Sequence, residues 1–238
     1  MSEYKIMIVD DEPDILDLLE KALTIEGFHN ILKVDSGNSA VSTCKKENPD
    51  VIILDVMLPD IDGYEVCKRI RQFSHCPILF LSSKNDEVDK ILGLAVGGDD
   101  YVTKPFSVPE LMARVKTNMR RAPLFEEKEK LIVFEDITMD LTERKVRRGD
   151  NYLHLSPTEF RLLKMLLKEP GKVFSREVLL KSVWGENIYV ESRTVDVHIR
   201  RLRKSLNDFG PDYIRTVRAT GYAIDINPVG DQEEPADN

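Results

Sequence analysis

The sequence predicts an α/β domain built on a doubly wound, five-stranded parallel sheet, followed by a smaller α+β domain. Three observations favour this architecture. Short apolar runs alternate strictly with helical patterns over the first half of the chain. The length of 238 residues suits two domains of roughly 100–200 residues each. The charge balance also changes sign between the two halves, which indicates that they have different partners.

Five apolar segments have the composition of parallel strands buried on both faces. Five further segments carry apolar residues at close to 3.6-residue spacing, which predicts helices. The predicted strands cover residues 6–9, 30–34, 51–54, 78–81 and 100–102, and the predicted helices cover residues 13–26, 38–47, 64–73, 87–96 and 108–119. In such a sheet the ligand site lies beyond the carboxyl ends of the strands, at the point where the strand order reverses.

The composition excludes several classes of protein. Hydrophobic residues make up 42% of the chain and charged residues 32%, which argues against intrinsic disorder. Apolar runs are far shorter than the ~18 residues needed to span a bilayer, and the N-terminus has no signal-peptide pattern. Three cysteines without C-x-x-C spacing argue against a disulfide framework and a structural zinc site. We therefore expect a soluble, cytoplasmic protein.

The net charge of -8 hides an asymmetry between the halves. Residues 1–121 carry 21 acidic and 15 basic side chains, whereas residues 131–227 carry 14 acidic and 17 basic ones. Only the second half is therefore basic enough to suggest binding to nucleic acid. We expect four segments: domains at 1–121 and 131–227, a charged linker at 122–130, and an acidic disordered tail at 228–238.

Acidic, hydroxyl and basic side chains follow the predicted strands at one edge of the sheet. Asp10 and Asp11 follow the first strand, Asp55 the third, Ser82 the fourth and Lys104 the fifth. An acidic pair at a single strand end is usually a solvated loop feature. Three crowded carboxylates, however, repel one another unless a cation neutralises them, and Mg²⁺ suits a few carboxylates with phosphate oxygens. The combination predicts a phosphoryl-acceptor site, in which one carboxylate attacks a phosphoryl group.

The motifs around these residues resemble those of response-regulator receiver domains, which have a flavodoxin-like fold. The matching segments are Val9-Asp10-Asp11-Glu12, residues 54–60, Leu81-Ser82-Ser83-Lys84 and residues 99–106. The resemblance covers residues 2–121 and keeps the order and spacing of the motifs. It implies that a partner sensor histidine kinase phosphorylates one aspartate of this chain, Asp55.

The resemblance also implies a magnesium site at the same edge of the sheet. Asp11 and Asp55, with the main-chain carbonyl of Met57, would bind Mg²⁺. Asp10 would belong to the same site and act mainly through bound water.

A switch and a phosphoryl-binding cation are implied as well. Ser82 would move toward the phosphoryl group, the rotamer of Tyr101 would follow, and Lys104 would pair with the phosphoryl oxygens. The peptide bond between Lys104 and Pro105 would be cis. Two alternatives stay open: a one-residue slip would exchange Ser82 for Ser83, and Tyr101 could be only a half-buried strand aromatic.

The second half combines short strands, three helices and a hairpin. Strand-like pieces at residues 132–134, 137–140 and 145–148 precede Ser156-Pro157-Thr158-Glu159, which is a strong helix start with a serine cap and a glutamate three residues on. Further helices begin at Ser175 and Ser192, and residues 213–217 and 222–226 form the predicted hairpin.

The third of these helices has two different faces. One stripe is apolar and is expected to pack inward: Val195, Ile199, Leu202 and Leu206. The opposite stripe is mainly basic or polar: Arg193, Thr194, Val197, Arg200, Arg201 and Lys204. His198 and Arg203 lie on the flanks, and Asp196, four residues before Arg200, is placed to orient that guanidinium.

A basic helix face is usually only a solvated surface. Here, however, the helix is the second of two consecutive helices, and a hairpin with Arg215 and Arg218 follows it. This order predicts a helix-turn-helix with a wing, whose recognition helix enters the major groove of DNA.

Residues 194–204 and 214–222 closely resemble the winged-helix effector domains of OmpR/PhoB-type regulators, and the resemblance covers about residues 131–226. Ala219 departs from a glycine that is common in the wing turn of these domains. Residues 184–190 match a loop that contacts RNA polymerase in some members. The DNA contacts implied by the resemblance are Arg193, Thr194, His198, Arg200, Arg201, Arg203, Arg215, Arg218 and Tyr222.

These contacts divide into two kinds. Arg200 and Arg201 lie midway along the outward face, so we expect at least one of them to contact a base edge. Arg193, Arg203 and Arg218 are expected to contact the DNA backbone or the minor groove, where they position the protein rather than specify the sequence.

Taken together, the sequence predicts a two-component transcription factor that is not itself an enzyme. Phosphorylation would promote dimerisation through the last two receiver helices, with intermolecular pairs Lys90–Glu110 and Asp100–Arg114, and the dimer would bind a direct-repeat operator in double-stranded DNA. Two alternatives remain: a phosphorelay carrier, and a constitutive DNA-binding regulator with a vestigial receiver. The absence of a histidine in a phosphotransfer-type bundle argues against the first, and the complete acidic pocket argues against the second.

Overall fold

The computed structural model describes residues 2–83, 87–119, 130–185 and 193–225. The first half contains β1 (Ser2–Val9), α1 (Pro13–Ile25), β2 (Phe28–Val34), α2 (Gly37–Glu47), β3 (Val51–Asp55), α3 (Gly63–Ile70), β4 (Ile78–Ser82), α4 (Glu87–Ala95), β5 (Asp100–Thr103) and α5 (Val108–Met119). These are the five strands and five helices that the sequence predicts. In the described part of the chain, no helix is long and apolar enough to cross a membrane.

The first five strands form one parallel sheet in the order β2-β1-β3-β4-β5. β3 and β4 are buried at every position, as expected for strands covered on both faces. Along β1, Ile6 and Ile8 belong to the core that contains residues of α1 and α5, whereas Met7 and Val9 belong to the core with α2 and α3. The strand order reverses between β1 and β3, so the carboxyl ends of these two strands flank the expected ligand crevice.

The second half contains β6 (Leu131–Phe134), β7 (Ile137–Asp140), β8 (Lys145–Arg148), β9 (Asn151–Leu153), α6 (Pro157–Lys168), β10 (Phe174–Ser175), α7 (Arg176–Trp184), α8 (Arg193–Asn207), β11 (Ile214–Val217) and β12 (Gly221–Ile224). A four-stranded antiparallel sheet, β6-β7-β8-β9, precedes the helices, and a three-stranded sheet, β10-β12-β11, includes the wing.

Two short strands were not predicted, and both lack a pattern long enough to reveal them. β9 has three residues and β10 only two. Phe174 in β10 pairs with Tyr222 in β12, so the predicted hairpin is part of a three-stranded sheet. The predicted inward stripe of α8 is confirmed, since its four apolar residues all belong to the core: Val195, Ile199, Leu202 and Leu206.

The predicted helix starts at Ser156 and Ser175 are confirmed. Ser156 Oγ accepts from the Glu159 amide, and the Glu159 carboxylate accepts from the Ser156 amide at 2.9 Å, which completes a capping box. Ser175 Oγ accepts from the Val178 amide at 3.2 Å. The predicted start at Ser192, most of the linker and the acidic tail lie outside the described residues.

Ala219 occupies the wing turn with a φ of 58°, in the left-handed region. The Thr220 amide donates to the Val217 carbonyl at 3.0 Å and closes this turn. An alanine in the left-handed region costs about 1–2 kcal/mol relative to the right-handed one. The wing therefore forms its turn without the expected glycine, and the strained alanine lowers the stability of the folded protein.

Arg148, at the end of β8, is a charged side chain that the sequence gives no reason to bury, yet it is 1% exposed. Its guanidinium pairs with Asp136 at 2.9 Å and donates to the Leu206 and Pro211 carbonyls at 2.8 and 2.6 Å. A Cβ at Gly210 would lie 2.6 Å from the same guanidinium. Arg148 therefore joins the four-stranded sheet to the end of α8, and Gly210 leaves the room for it.

Replacing Arg148 should destabilise the second half of the protein strongly. Arg148→Ala leaves Asp136 without its cation and two carbonyls without their donor, so we expect a loss of about 3 kcal/mol or more in the free energy of unfolding. Trp184 is the single tryptophan and is fully buried in this domain. Urea unfolding followed by its fluorescence measures the change.

The neighbouring residue on the same strand provides the control. Arg147 is exposed, and Arg147→Ala should change the free energy of unfolding by no more than about 0.5 kcal/mol. Equal effects of the two substitutions would contradict the structural role given to Arg148.

Candidate functional site

The carboxyl ends of β1 and β3 bring three aspartates together. Asp10 directly follows β1, Asp11 is next to it, and Asp55 is the last residue of β3. One carboxylate oxygen from each lies within 4.8 Å of the others. Asp10 and Asp55 are almost fully buried, whereas Asp11 is exposed. The aspartates predicted from three strand-end positions therefore form one cluster that is open on one side.

Lys104, which follows β5, is the cation of this cluster. Its Nζ donates to Asp10 Oδ2 at 2.9 Å and to Asp55 Oδ2 at 3.0 Å, and it lies 3.4 Å from Glu12 Oε1. Burial lowers the pKa of Lys104, but hydrogen bonds to the two aspartates outweigh it and raise the pKa to about 12. The ammonium therefore stays charged and screens the repulsion between the two buried carboxylates.

The environment of Asp10 differs from that of an ordinary surface carboxylate. Burial raises the pKa of Asp10, while the bond from Lys104 and a bond from the Glu12 amide at 3.0 Å oppose that rise. Asp55 also accepts from the Met57 amide, at 3.3 Å. The main chain of Met57 thus lies beside the acidic cluster.

The donor set fits a hard divalent cation. Three carboxylates within 4.8 Å of one another supply the oxygen ligands that Mg²⁺ prefers, and the exposed side of the cluster leaves room for water and phosphate oxygens. Burial raises the pKa of Asp10, and the Lys104 ammonium is the nearby cation that opposes this rise, together with the Glu12 amide. A cation at this position would relieve the same repulsion that Lys104 relieves.

Ser82 is the last residue of β4 and is fully buried, whereas Ser83 is exposed. The Lys104 amide donates to the Ser82 carbonyl at 2.7 Å, so the two residues lie on adjacent strand ends. Ser82 is therefore the residue at the strand end, and Ser83 lies just beyond it. The Lys104–Pro105 peptide is cis, as predicted.

Tyr101 in β5 is buried, with 8% of its surface exposed, rather than half-buried. Its hydroxyl lies 3.4 Å from that of Tyr64, and its ring packs on Phe80 with centroids 6.0 Å apart. A Cβ at Gly93 in α4 would lie 3.0 Å from this ring. The aromatic of the predicted switch is therefore in direct contact with the backbone of α4, a contact that the sequence analysis did not identify.

The predicted DNA contacts fall into exposed and buried groups. Arg193, Arg200 and Arg218 are exposed, and Arg215 is partly exposed, 3.8 Å from Asp225. These four residues lie on α8 and in the wing, as the sequence predicts.

Thr194 and His198 were predicted to contact DNA, but neither side chain is accessible in this arrangement of the domains. Thr194 is 7% exposed and His198 is fully buried. The physical reason is that α4 packs against α8, while the ring of Trp184 covers His198 with centroids 5.3 Å apart. Burial, with help from the charge of Arg201, lowers the pKa of His198 to about 3.

Arg201 is also engaged rather than free. Its Nη1 donates to the Gly98 carbonyl at 2.7 Å and lies 3.5 Å from the Leu94 carbonyl, both in the first domain. Its Nε lies 2.8 Å from Glu159 Oε1 in α6. Sequence analysis missed these partners because nothing in a helical pattern indicates which neighbour a distant segment provides.

Arg203 and Asp196 have partners different from those expected. Arg203 Nη2 donates to Thr216 Oγ1 at 2.8 Å, so its guanidinium binds strand β11 of the wing. Asp196 Oδ1 accepts from Arg176 at 2.7 Å and from the Tyr222 hydroxyl at 2.6 Å, and it therefore orients Arg176 rather than Arg200. The predicted contact Tyr222 is buried, with 5% of its surface exposed.

The residues of the predicted dimer surface lie together on the first domain. Arg114 donates to Asp100 and to Glu110 at 2.8 Å each within the same chain. Burial lowers the pKa of the Arg114 guanidinium, but its two acidic partners outweigh burial and raise it. With Lys90, these residues line a cavity of 270 Å³ that Arg193 and Thr194 of α8 also line. The predicted dimer surface therefore faces α8 in this structure.

Two protein families match the chain in the order that the structure shows. Residues 6–116 match the response regulator receiver domain, and residues 149–224 match the C-terminal domain of transcriptional regulatory proteins. The chain belongs to the OmpR/PhoB family of two-component transcriptional response regulators.

One curated relative matches almost the whole chain. It is the phosphate regulon transcriptional regulatory protein PhoB of Rhizobium meliloti (strain 1021), which is 47% identical over 225 residues. The match covers 93% of this chain and 98% of the relative. The similarity therefore includes both domains and the connection between them.

Two solved structures are similar over both domains. A RitR mutant is 28% identical, with a TM-score of 0.72 over 93% of this chain and 98% of its own. DrrB of Thermotoga maritima, described as an OmpR/PhoB homologue, is 34% identical, with a TM-score of 0.50 over 94% of this chain and 100% of its own.

Removing the Lys104 ammonium should make the free energy of unfolding depend more strongly on Mg²⁺ than it does in the wild-type protein. Lys104→Met leaves two buried carboxylates without a counter-charge, so the free energy of unfolding without Mg²⁺ should fall by about 3 kcal/mol. Added Mg²⁺ should restore more stability than it adds to the wild-type protein, because it binds only the folded cluster. Urea unfolding followed by far-ultraviolet circular dichroism, with and without Mg²⁺, measures both effects.

Lys116→Met is the matched control, because Lys116 is a half-exposed lysine that pairs with Glu26 away from the cluster. Its response to Mg²⁺ should equal that of the wild-type protein. A Lys104→Met protein that responds to Mg²⁺ no more than this control would remove Lys104 from the electrostatics of the site.

Proposed function

We propose that this transcriptional regulator is controlled by phosphorylation of Asp55. The phosphoryl donor is a phosphohistidine on a sensor histidine kinase, and the phosphorylated protein binds double-stranded DNA as a dimer in the cytoplasm. The observation that carries the proposal is the position of Asp55, which shares the Lys104 ammonium with Asp10 at the strand-order reversal of the sheet.

For this transfer, the phosphoryl donor must reach Asp55 from solvent, and the negative charge of the phosphoryl oxygens must be neutralised. A carboxylate oxygen of Asp55 attacks the phosphorus atom, an O–P bond forms as the N–P bond breaks, and the electron pair leaves on the imidazole, which takes a proton from solvent. Lys104 is supported as the group that pairs with the transferred phosphoryl oxygens, because its ammonium already lies 3.0 Å from Asp55. The exposed Asp11 marks the open side.

Asp10, Asp11, Asp55 and the main-chain carbonyl of Met57 would hold Mg²⁺ at this site. When bound, the ion supplies charge neutralisation for the incoming phosphoryl oxygens. The three-carboxylate cluster supports this assignment. The protein itself orients Asp55 through the bonds from Lys104 and from the Met57 amide.

The signal would leave the pocket through Ser82 and Tyr101. Ser82 lies at the end of β4, and its main-chain carbonyl accepts from the Lys104 amide. The Tyr101 ring lies against Phe80 of β4 on one side and Gly93 of α4 on another. Movement of Ser82 toward the phosphoryl group would open space that the Tyr101 ring can enter.

Dimerisation would use the surface formed by α4, β5 and α5. Lys90–Glu110 and Asp100–Arg114 are the proposed pairs between two copies. Arg114 can exchange partners, since Asp100 and Glu110 already bind it within one chain. An exposed pair contributes only about 0–1 kcal/mol, so Lys90–Glu110 would set the register of the dimer rather than its strength, whereas Asp100 and Arg114 are buried within this chain and would have to be uncovered first.

DNA recognition would use α8 in the major groove and the wing beside it. Arg200 is the base contact best supported, because it is exposed midway along α8. Arg193 and Arg218, also exposed, would bind phosphates or the minor groove. In such a dimer, each of the two DNA-binding domains would bind one repeat of a direct-repeat operator. The proposed RNA polymerase loop falls mostly on residues 186–192, outside the described residues.

Two alternatives are less well supported. A phosphorelay carrier would not need the basic helix and wing of the second domain. A constitutive DNA-binding regulator would not need the acidic cluster, Lys104 and Ser82 at one edge of the sheet.

Phosphorylation should depend on one carboxylate. Asp55→Asn should gain no phosphoryl group from acetyl phosphate with Mg²⁺, because an amide oxygen is a far weaker nucleophile. Intact-mass spectrometry measures the modified fraction. The control is Asp35→Asn, an exposed aspartate that follows β2 at the same sheet edge but is outside the cluster; it should be modified like wild type. Stoichiometric modification of Asp55→Asn would show that the site is elsewhere.

Two substitutions should distinguish a residue that recognises bases from one that binds phosphates. Arg200→Ala should lose about 1–3 kcal/mol of discrimination between an operator selected from random duplexes and its scrambled sequence. Arg218→Ala should weaken binding to both duplexes alike and lower the salt dependence by about one. Fluorescence anisotropy across a salt series measures both. If Arg200→Ala weakens both duplexes equally, Arg200 is not the base contact.

A further inference from the structure

The three cysteines of the chain lie on one side of the receiver sheet, although they are far apart in sequence. Cys44 in α2 and Cys67 in α3 belong to the core that includes these two helices, and Cys76, just before β4, packs against the same core. All three are free thiols. Their spacing along the chain does not indicate a pair, so any contact between the sulfurs is created by the fold.

Two of these thiols are in direct contact. The side chains of Cys44 and Cys76 are hydrogen-bonded to each other, and the Ser74 hydroxyl is hydrogen-bonded to the same pair. Cys44 is fully buried, whereas Cys76 is partly exposed to solvent. The pair therefore has one sulfur that a small solute can reach and a second sulfur in contact with it on the buried side.

Arg71 holds the segment that carries Cys76. Its Nη1 donates to the Cys76 carbonyl at 2.8 Å and to the Ser74 carbonyl at 3.2 Å. The Ile52 amide donates to the carbonyl of Pro77 at 2.8 Å and joins the following residue to β3. Cys76 is therefore held in place at the start of β4, beside the last turn of α2.

The surroundings make Cys76 the nucleophile of the pair. The hydrogen bond from Cys44 lowers the pKa of the Cys76 thiol to about 7, with help from the charge of Arg71. Burial acts in the opposite direction but does not outweigh them. The hydrogen bond to Cys76 and burial both raise the pKa of Cys44. At neutral pH a substantial fraction of Cys76 is therefore thiolate, the reactive form, while Cys44 keeps its proton.

Cys67 is close by but does not belong to the pair. It is fully buried, and its Sγ donates to the Val96 carbonyl at 3.8 Å. Burial raises the pKa of the Cys67 thiol to about 11, so this thiol stays protonated at neutral pH. The chain thus contains, in the same core, a third cysteine against which the pair can be compared.

We propose that Cys44 and Cys76 form a reversible disulfide when hydrogen peroxide oxidises the receiver. The Cys76 thiolate attacks one peroxide oxygen; an S–O bond forms, the O–O bond breaks, and the leaving hydroxide takes the proton of Cys44 and becomes water. The Cys44 thiolate then attacks the Cys76 sulfur, and an S–S bond forms as the S–O bond breaks. The second hydroxide takes from solvent the proton that Cys76 had released. The sulfurs lose two electrons, and the peroxide is reduced to two waters.

The disulfide joins the last turn of α2 to the start of β4. This is the amino-terminal edge of the sheet, opposite the edge that carries Asp55. A cross-link between these segments restricts the unfolded chain, so oxidation stabilises the receiver. Disulfide formation needs neither a phosphoryl donor nor DNA, and it is therefore independent of the proposed function.

Peroxide treatment of the reduced, full-length protein provides the test. Catalase removes the oxidant, and N-ethylmaleimide in denaturant blocks the remaining thiols before digestion. Peptide mass spectrometry should show that two of the three thiols are lost, with Cys44 linked to Cys76 within one chain and Cys67 blocked. Dithiothreitol should reverse the link.

Stability gives a second measurement of the same link. The urea transition of the first domain is followed by far-ultraviolet circular dichroism, and Trp184 fluorescence identifies the transition of the second domain. Oxidation should shift the first transition to higher urea, and dithiothreitol should return it.

Two alanine substitutions of fully buried cysteines are the matched variants. Cys44→Ala leaves Cys76 without a partner thiol, so no internal link should form, and prolonged treatment should instead add two oxygen atoms to Cys76 that dithiothreitol does not remove. Cys67→Ala should form the link like the wild-type protein. Circular dichroism before treatment verifies that each variant is folded.

Four results would overturn the proposal. They are a wild-type protein that keeps all three thiols in excess peroxide, a link that involves Cys67 or a second chain, irreversible oxidation of Cys76 without a link, and a link that shifts the first transition to lower urea. If Cys44→Ala is unfolded, the peptide map and urea transition of the wild-type protein and of Cys67→Ala decide between these results and the proposed disulfide.

Discussion

The ammonium group of Lys104 joins two buried carboxylates from separate strands, and much of the first domain is arranged around that interaction. Asp10 and Asp55 come together because parallel strands end at the same edge of a sheet, on the two sides of its strand-order reversal. Without a cation the two charges would repel at short range in a buried place. The fold concentrates negative charge there and compensates it with a single flexible side chain.

That arrangement is well suited to a group that arrives and leaves. A lysine is a compact charge on a flexible stem, so it can follow phosphoryl oxygens without a change in the surrounding backbone. The Lys104 amide also binds the Ser82 carbonyl. The same residue therefore connects Asp55 with the end of β4.

Much of the fold was predictable because its signals are local or periodic. Continuous apolar runs such as the one at β4 identify buried parallel strands, and the capping pattern at Ser156 identifies a helix start. The site was predictable for a related reason, since parallel strands oblige Asp10 and Asp55 to share an edge.

The remaining features depend on contacts between segments that are distant in sequence. Nothing in the pattern around Arg148 distinguishes it from the exposed Arg147, because its partners, Leu206 and Pro211, lie some sixty residues on. Likewise, the apolar stripe of α8 identifies only the face that packs inside its own domain. Thr194 and His198 are buried by a neighbour that helical periodicity does not describe.

The two sets of partners available to Arg201 also constrain how such a regulator can change over time. A substitution at this position removes, in the same step, a contact with the Gly98 carbonyl of the first domain and an ion pair with Glu159 of the second. Residue 201 therefore cannot change without affecting a contact in each of the two domains. Arg200 can change with less disturbance, because its side chain is exposed and takes no part in the domain contact at Gly98.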